Sequence, residues 1–334
     1  MHLVLVLPDL LESVGAGEEP ARAPAIAELL GWSGTPSRNP DGLDAEIASR
    51  YGIARQTDWP LAAIRAASLG LATGDAYWLA ADPVTLVVGR DEVTFSGIVD
   101  DLASPEAAEL VTTLNAHFAG DDIEFSAPRP DAIFARLRAA PRLATHPPAA
   151  TRDRPLRSRL PEGADAAKFR RWQSEIQMLL HEHPFNAERE KKGRPPVNGI
   201  WFSGGGVFPP RPSRSPALST FAGAGIAVAL ATHIGAPAQA LPASVVSVLD
   251  RPSDADLIVV ALPSGVAVPE TDRSWALPSR DALVRGRLDE ISILAHDAGD
   301  AVCWHTRRPG LWQRVRGRGR HRDLAAELAA AART

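Results

Sequence analysis

Three six-residue runs, at 2–7, 197–202 and 257–262, are almost wholly apolar, and they constrain the fold more than anything else in the chain. A strand with one face in water alternates apolar and polar residues, so runs like these belong inside a sheet covered on both faces. Their length suits strands rather than helices. Elsewhere the apolar residues recur at steps of three and four; Phe169, Trp172, Ile176, Leu179 and Leu180 form one such helical face. Buried strands alternating with amphipathic helices predict an α/β fold, a mostly parallel sheet with helices on both faces. Sheets of this kind take ligands beyond the carboxyl ends of their strands. Asp9, just after the first run, would lie there as a metal- or phosphate-site carboxylate, or as a simple turn acid.

Composition narrows the field. The chain has 334 residues, 45% hydrophobic and 23% charged, enough for one large domain or two. A net charge of -4 does not suit a surface for nucleic acid or an anionic membrane. The single cysteine, Cys303, rules out an internal disulfide and a cysteine-rich zinc site. The run at 2–7 lacks the basic start and cleavage site of a signal peptide. No apolar stretch reaches the roughly 20 residues a membrane helix needs. A cytoplasmic protein is expected.

From residue 75 the texture changes. Strands at 84–88 and 93–95 around a turn at 89–92, a helix from Ser104 and strands at 123–126 and 132–137 predict a small α+β unit. The division expected is therefore an α/β core of residues 1–74 and 161–334, with an inserted cap of residues 75–160. The cap ends in a linker whose Arg152, Arg154, Arg157 and Arg159 either steer an anion or are merely solvated. Further on, the pattern predicts a helix at 220–234 and strands at 245–249 and 257–262. It predicts an amphipathic helix carrying Leu283, Leu288, Ile291 and Leu294. Strands at 301–306 and 312–316 and a closing helix at 323–332 complete the reading. Cys303 and His305 share one face of their strand. The arginines between 307 and 322 suit a solvated edge as well as a nucleic-acid contact, and no groove-reading helix accompanies them.

The densest polar cluster lies in residues 175–206. Pro184 ends one helix, and Gly193 suits the left-handed cap of a second, short one. His183, Asn186, Arg189 and Asn198 sit in this otherwise apolar setting. They would either bind a small anion, with Arg189 as a planar fork, or fix the helix–strand junction by hydrogen bonds. Gly204, Gly205 and Gly206 let backbone approach closely whatever lies beyond the strand. They do not form a phosphate loop, because the Gly-Lys-[Ser/Thr] ending is missing. His181 and His183, two apart at a helix end, do not share a helical face. Thr57-Asp58-Trp59-Pro60 opens another helix, with Asp58 as cap and Pro60 in the first turn. A hydroxyl there would also suit a phosphate.

The pattern His183-Pro184-x-Asn186-x-x-Arg189-x-x-x-Gly193-x-Pro195-Pro196-x-Asn198-x-Ile200-Trp201-x-x-Gly204-x-Gly206 resembles archaeal-type cofactor-independent phosphoglycerate mutases, of the alkaline phosphatase superfamily. More narrowly, residues 175–186 resemble a proteobacterial subgroup, the regulatory proteins of the RpfE type. The resemblance implies an alkaline phosphatase-like sheet, Asp9 as a metal ligand, and Thr57-Asp58 where the mutases carry their nucleophilic Ser and its Asp. It also brings out departures. Pro263-Ser264-Gly265-Val266-Ala267-Val268 stands where the mutases carry an Asp and a His, and Ala295-His296-Asp297 reverses a later Asp-His pair. The resemblance therefore implies a degenerate relative, non-catalytic or regulatory. It would bind a small phosphorylated or carboxylate metabolite through Asp9, Asp58, His183, Asn186, Arg189, Asn198, Gly204, Gly205 and Gly206, without a cofactor. The alternative is an active mutase or phosphatase using Thr57 and a divalent metal, Mn or Mg. A protein partner is compatible with either. If residues 2–7 and 197–202 are both central parallel strands, Asp9 and the three glycines face one crevice.

Overall fold

The computed structural model describes residues 1–12, 23–88, 93–151, 156–181, 183–213, 217–251 and 254–310. The expected turn at 89–92, Arg152, Arg154, the strand at 312–316, the helix at 323–332 and the arginines from 314 to 322 lie outside them. The chain divides into two compact units, one of residues 1–52 and 212–334, the other of residues 53–211. The expected insertion at 75–160 falls within the second unit.

The first unit is built on a seven-stranded sheet in the order β2-β12-β11-β1-β10-β8-β9. These strands are β1 (His2–Val6), β2 (Ser37–Asn39), β8 (Leu218–Ala222), β9 (Ala238–Gln239), β10 (Leu257–Ala261), β11 (Glu290–Asp297) and β12 (Asp300–Arg307). β1 runs parallel to both β10 and β11, and β8 parallel to β10 and β9. Only β12 and β2 run antiparallel, at one edge. The fold class is thus the mostly parallel α/β sheet expected. Successive strand residues face opposite sides. Leu3 and Leu5 join a core with Ile26 and Leu29 of α1 (Pro24–Trp32), while Val4 and Val6 are buried on the other face. There Tyr51, just after α2 (Leu43–Arg50), hydrogen-bonds through its hydroxyl to Thr220 Oγ1 of β8 at 2.7 Å.

The second unit holds α3 (Leu61–Ser68), β3 (Tyr77–Val88), β4 (Val93–Ile98), α4 (Ser104–His117), β5 (Glu124–Arg129) and β6 (Ala132–Leu137). It continues through α5 (Ala166–His181), α6 (Pro184–Lys191) and β7 (Gly199–Val207). Its five-stranded sheet has the path β4-β3-β6-β5, with β7 also paired to β3. Every pairing in it is antiparallel. One face packs Tyr77, Leu79, Phe125 and Phe202 against Leu110 and Leu114 of α4 and Phe169, Trp172 and Ile176 of α5. The other packs Trp78, Ala80 and Phe134 against the alanines of α3.

Several sequence expectations need correction. The run at 197–202 forms β7, antiparallel to β3, and is not a parallel neighbour of β1. An antiparallel strand covered on both faces carries the same apolar signature as a parallel one, which is why the run misleads. β1 and β7 belong to different sheets, so the premise for placing Asp9 and the glycines on one sheet edge fails. Gly204, Gly205 and Gly206 lie inside β7 rather than in a loop beyond it. The helix expected through Leu294 stops at Arg285, the end of α10 (Leu277–Arg285), where Gly286 takes the left-handed conformation at φ 78°. Ile291 and Leu294 belong to β11 instead. The helix expected from Thr220 begins only at α7 (Ile226–Ile234), because Gly223 and Gly225 separate it from β8. The strand expected at 245–249 is a short helix, α8 (Val246–Leu249). Between α8 and α10 lies α9 (Val268–Thr271).

Candidate functional site

The turn at residues 56–60 lies against β7, and this contact explains the glycines. A side chain at Gly206 would place its Cβ 2.6 Å from Pro60 Cα, and one at Gly205 would meet Tyr77 and Leu79 Cδ2, the latter at 2.9 Å. Gln56 bridges the same edge: its Nε2 donates to Val207 O at 2.8 Å and its Oε1 accepts from Val207 N at 3.0 Å. Close approach of backbone is therefore realised, but toward the protein's own turn.

Asp58 sits in that turn, 5% exposed. Its Oδ1 accepts from Trp59 N at 2.7 Å. Its Oδ2 accepts from Thr145 N at 2.9 Å, Thr145 Oγ1 at 2.5 Å and Gly205 N at 3.4 Å. Thr145 Oγ1 in turn accepts from Gly204 N at 3.1 Å. Oδ2 thus meets three donors, more than its two lone pairs, and Oδ1 meets one. Burial raises the Asp58 pKa, and the hydrogen bonds from Thr145, Trp59 and Gly205 oppose that shift. The Tyr77 hydroxyl, buried without a hydrogen-bond partner, is pushed up as well, first by burial and then by the Asp58 charge. Asp58 is not the helix cap expected: α3 has Pro60 at its cap position and no side-chain capping bond. Thr57, beside it, is exposed. Sequence reasoning missed Thr145, whose only signal was a hydroxyl in a proline-rich stretch far along the chain.

His183, Asn186, Arg189 and Asn198 lie along the stretch that joins α5, α6 and β7, and each bonds to a different part of the chain. Asn186 donates from Nδ2 to Leu180 O at 2.9 Å and Val197 O at 2.8 Å, and accepts from Val197 N at 2.9 Å. Asn198 makes a matching pair with Leu86, donating to its carbonyl and accepting from its amide, both at 2.7 Å. Arg189 is fully buried. Its Nε donates to Pro195 O at 2.8 Å and its Nη1 to Glu106 Oε2 at 3.1 Å, while Nη2 is paired with Asp101. The fork thus grips carboxylates of the chain itself. His183 lies at the cap position of α6 and meets Thr113 Oγ1 through Nε2 at 2.9 Å. Of the two roles open to this cluster, fixing the junction accounts for these contacts. In the sequence Glu106 reads only as part of a helix start and Asp101 carries no signal, since nothing ties either to residue 189, more than 80 positions on.

Asp9 follows β1 at its carboxyl end, as expected, half-buried. Its Oδ2 accepts from Gly265 N at 2.5 Å. Gly265, at φ 84°, turns the segment that follows β10. Around Asp9 a small cavity is lined by Leu7, Leu10, Leu262, Val266, Val268, two prolines and Thr271, with no second carboxylate and no imidazole or thiol among them. His296 is in electrostatic reach of Asp44, Glu12 and Asp9, but burial dominates and lowers its pKa. Among the described residues, no three His, Cys, Asp or Glu side chains gather around Asp9 or Thr57 closely enough to hold a metal ion. The residues described there do not fit a two-metal centre, which needs both ions clamped on the transferring phosphoryl group.

No family model and no curated protein matches the chain. Among solved structures it is similar to the PH0037 protein from Pyrococcus horikoshii, at 13% identity and TM-score 0.44, over 100% of this chain and 97% of that one. It is also similar to the cofactor-independent phosphoglycerate mutase from Thermoplasma acidophilum, at 15% identity and TM-score 0.43, over 98% of this chain and 94% of that one.

Proposed function

We propose that the chain is a non-catalytic, regulatory relative of the cofactor-independent phosphoglycerate mutases, of the RpfE type, which binds a small phosphorylated or carboxylate metabolite in the cytoplasm. The observation that carries this reading is the state of Asp58. The carboxylate of the Thr57-Asp58 pair is buried and occupied by four donors from the chain itself, from Trp59, Thr145 and Gly205. Three of the four act on Oδ2, so that oxygen is committed to the chain's own groups rather than to a catalytic metal. The motif resemblance at 183–206 supports the kinship, and the missing Asp and His after residue 262 support the loss of chemistry. The alternative, an active mutase or phosphatase with Thr57 as nucleophile and Mn or Mg as cofactor, draws on the exposure of Thr57.

The test is an assay of 3-phosphoglycerate turnover with Mn²⁺ and with Mg²⁺, beside calorimetry with phosphorylated three-carbon acids. No turnover, with binding that does not need a metal, is the expected result. Turnover abolished in Thr57→Ala would overturn the proposal and establish the alternative.

A further inference from the structure

At the other end of β1 from Asp9, three metal-ligating side chains meet on one face of the first unit's sheet. His2 of β1 pairs with Glu290 of β11, and Ser292 of β11 pairs with His305 of β12. Paired residues project to the same face, and so do residues two apart in one strand. His2, Glu290, Ser292, Cys303 and His305 therefore share a face. The result is compact: the ligand atoms of His2, Glu290 and His305 all lie within 4.8 Å of one another. His2 Nε2 is 2.8 Å and His305 Nδ1 2.9 Å from Ser292 Oγ, and His305 Nδ1 is 3.3 Å from Glu290 Oε1.

Two further observations separate this cluster from an ordinary polar surface. The far nitrogen of His305, Nε2, is 3.2 Å from Cys303 Sγ and 3.5 Å from Arg50 Nη2, which donates to Cys303 Sγ at 3.3 Å. Metal-binding imidazoles are commonly oriented by a hydrogen bond on the nitrogen that does not ligate, and this contact directs Nδ1 inward. The charge of Arg50 is balanced by Glu46, whose Oε1 accepts from Arg50 Nη2 at 2.7 Å and from Nε at 3.1 Å. The site is also accessible. The side chains of His305 and Glu290 are 43% and 24% exposed, and both border an open cleft of about 530 Å³ that Trp32, Arg307 and Arg308 also line.

We propose that His2, Glu290 and His305 form a site for a divalent transition-metal ion, zinc above all, with the remaining coordination positions open to water or an anion. Two imidazoles and one carboxylate make a zinc-type donor set, whereas magnesium and calcium favour oxygen ligands throughout. β1 spans about 13 Å at roughly 3.3 Å per residue, so this site is separate from anything Asp9 would hold.

The test uses the full chain, free of affinity tags and stripped with a chelator. Zn²⁺ is titrated by calorimetry and Co²⁺ by its visible absorption. One equivalent of either ion per chain is expected. His305→Asn and His2→Asn should each weaken binding at least tenfold, with the circular dichroism spectrum unchanged. His117→Gln, in the second unit, should bind as the wild type does. No stoichiometric binding would overturn the proposal, and so would undiminished binding in either the His305 or the His2 variant. If one of these substitutions disturbs folding, the other decides.

Discussion

At the scale of single residues, Asp58 behaves as a buried acid whose charged form the fold disfavours. Its pKa is raised by burial. Between the ordinary carboxyl pKa of about 4 and the raised one, the unfolded chain has lost this proton while the folded chain still retains it. Stability from this group is then present at low pH and falls as pH rises toward the raised pKa. The stability of the wild type minus that of Asp58→Asn, from urea unfolding, should decline across that window; a difference that rises with pH would contradict it. Gly206 makes a second prediction. An alanine Cβ there meets Pro60 backbone at 2.6 Å, and such overpacking costs about 1–3 kcal/mol or more. Gly206→Ala should lower the urea midpoint, whereas Gly223→Ala, with open space around its Cβ, should change it much less.

At the scale of elements, the α5–α6–β7 junction depends on one buried cation. Arg189 ties Asp101 and Glu106, at the start of α4, to the Pro195 carbonyl. Removing one partner of a buried, hydrogen-bonded ion pair costs about 3–5 kcal/mol. Arg189→Ala should destabilise by that order. Arg189→Lys should recover little, because an ammonium cannot span three acceptors as a planar fork does. Full stability of Arg189→Lys would show that the fork geometry is unimportant.

What could be read in advance at this scale followed local physics. On the helical face of Phe169, Trp172, Ile176, Leu179 and Leu180, all are buried as the spacing implied except Leu179, which is partly buried. β1, β10 and β12 stand close to where their apolar runs placed them. That Asn186 and Arg189 are polar groups set in buried, apolar surroundings was also legible, since their short stretch lies between apolar ones. Strand partners were not, because an apolar run tells how deeply a strand is buried and not which neighbour it pairs with. β7 shows this, and so does Thr145, which reaches Asp58 from 87 residues away in sequence. The cluster around Ser292 was hidden for the same reason: His2 and Glu290 become neighbours only once β1 and β11 are paired in register.

At the scale of the whole molecule, residues 53–211 form one continuous segment with its own sheet and its own core. No helix among the described residues is long and apolar enough to cross a membrane. Residues 53–211 expressed alone should fold, with a single cooperative urea transition and a circular dichroism spectrum of mixed helix and strand. A broad, non-cooperative transition would show that the segment depends on the rest of the chain.

The pairing of β1 has a consequence for the chain as it is made. Both of its parallel neighbours, β10 and β11, lie some 250 or more residues later. At about 5–20 residues per second on the ribosome, His2–Val6 waits roughly 15–60 s for the second of them. Throughout that interval a short apolar strand, later the centre of a sheet, has both edges unpaired, and unpaired edges are templates for association with other chains. The segment at 53–211 is complete long before then and can fold meanwhile. Synthesis is therefore a vulnerable stage, and the yield of folded chain should depend on chaperones that hold the nascent β1 until β11 and β12 emerge.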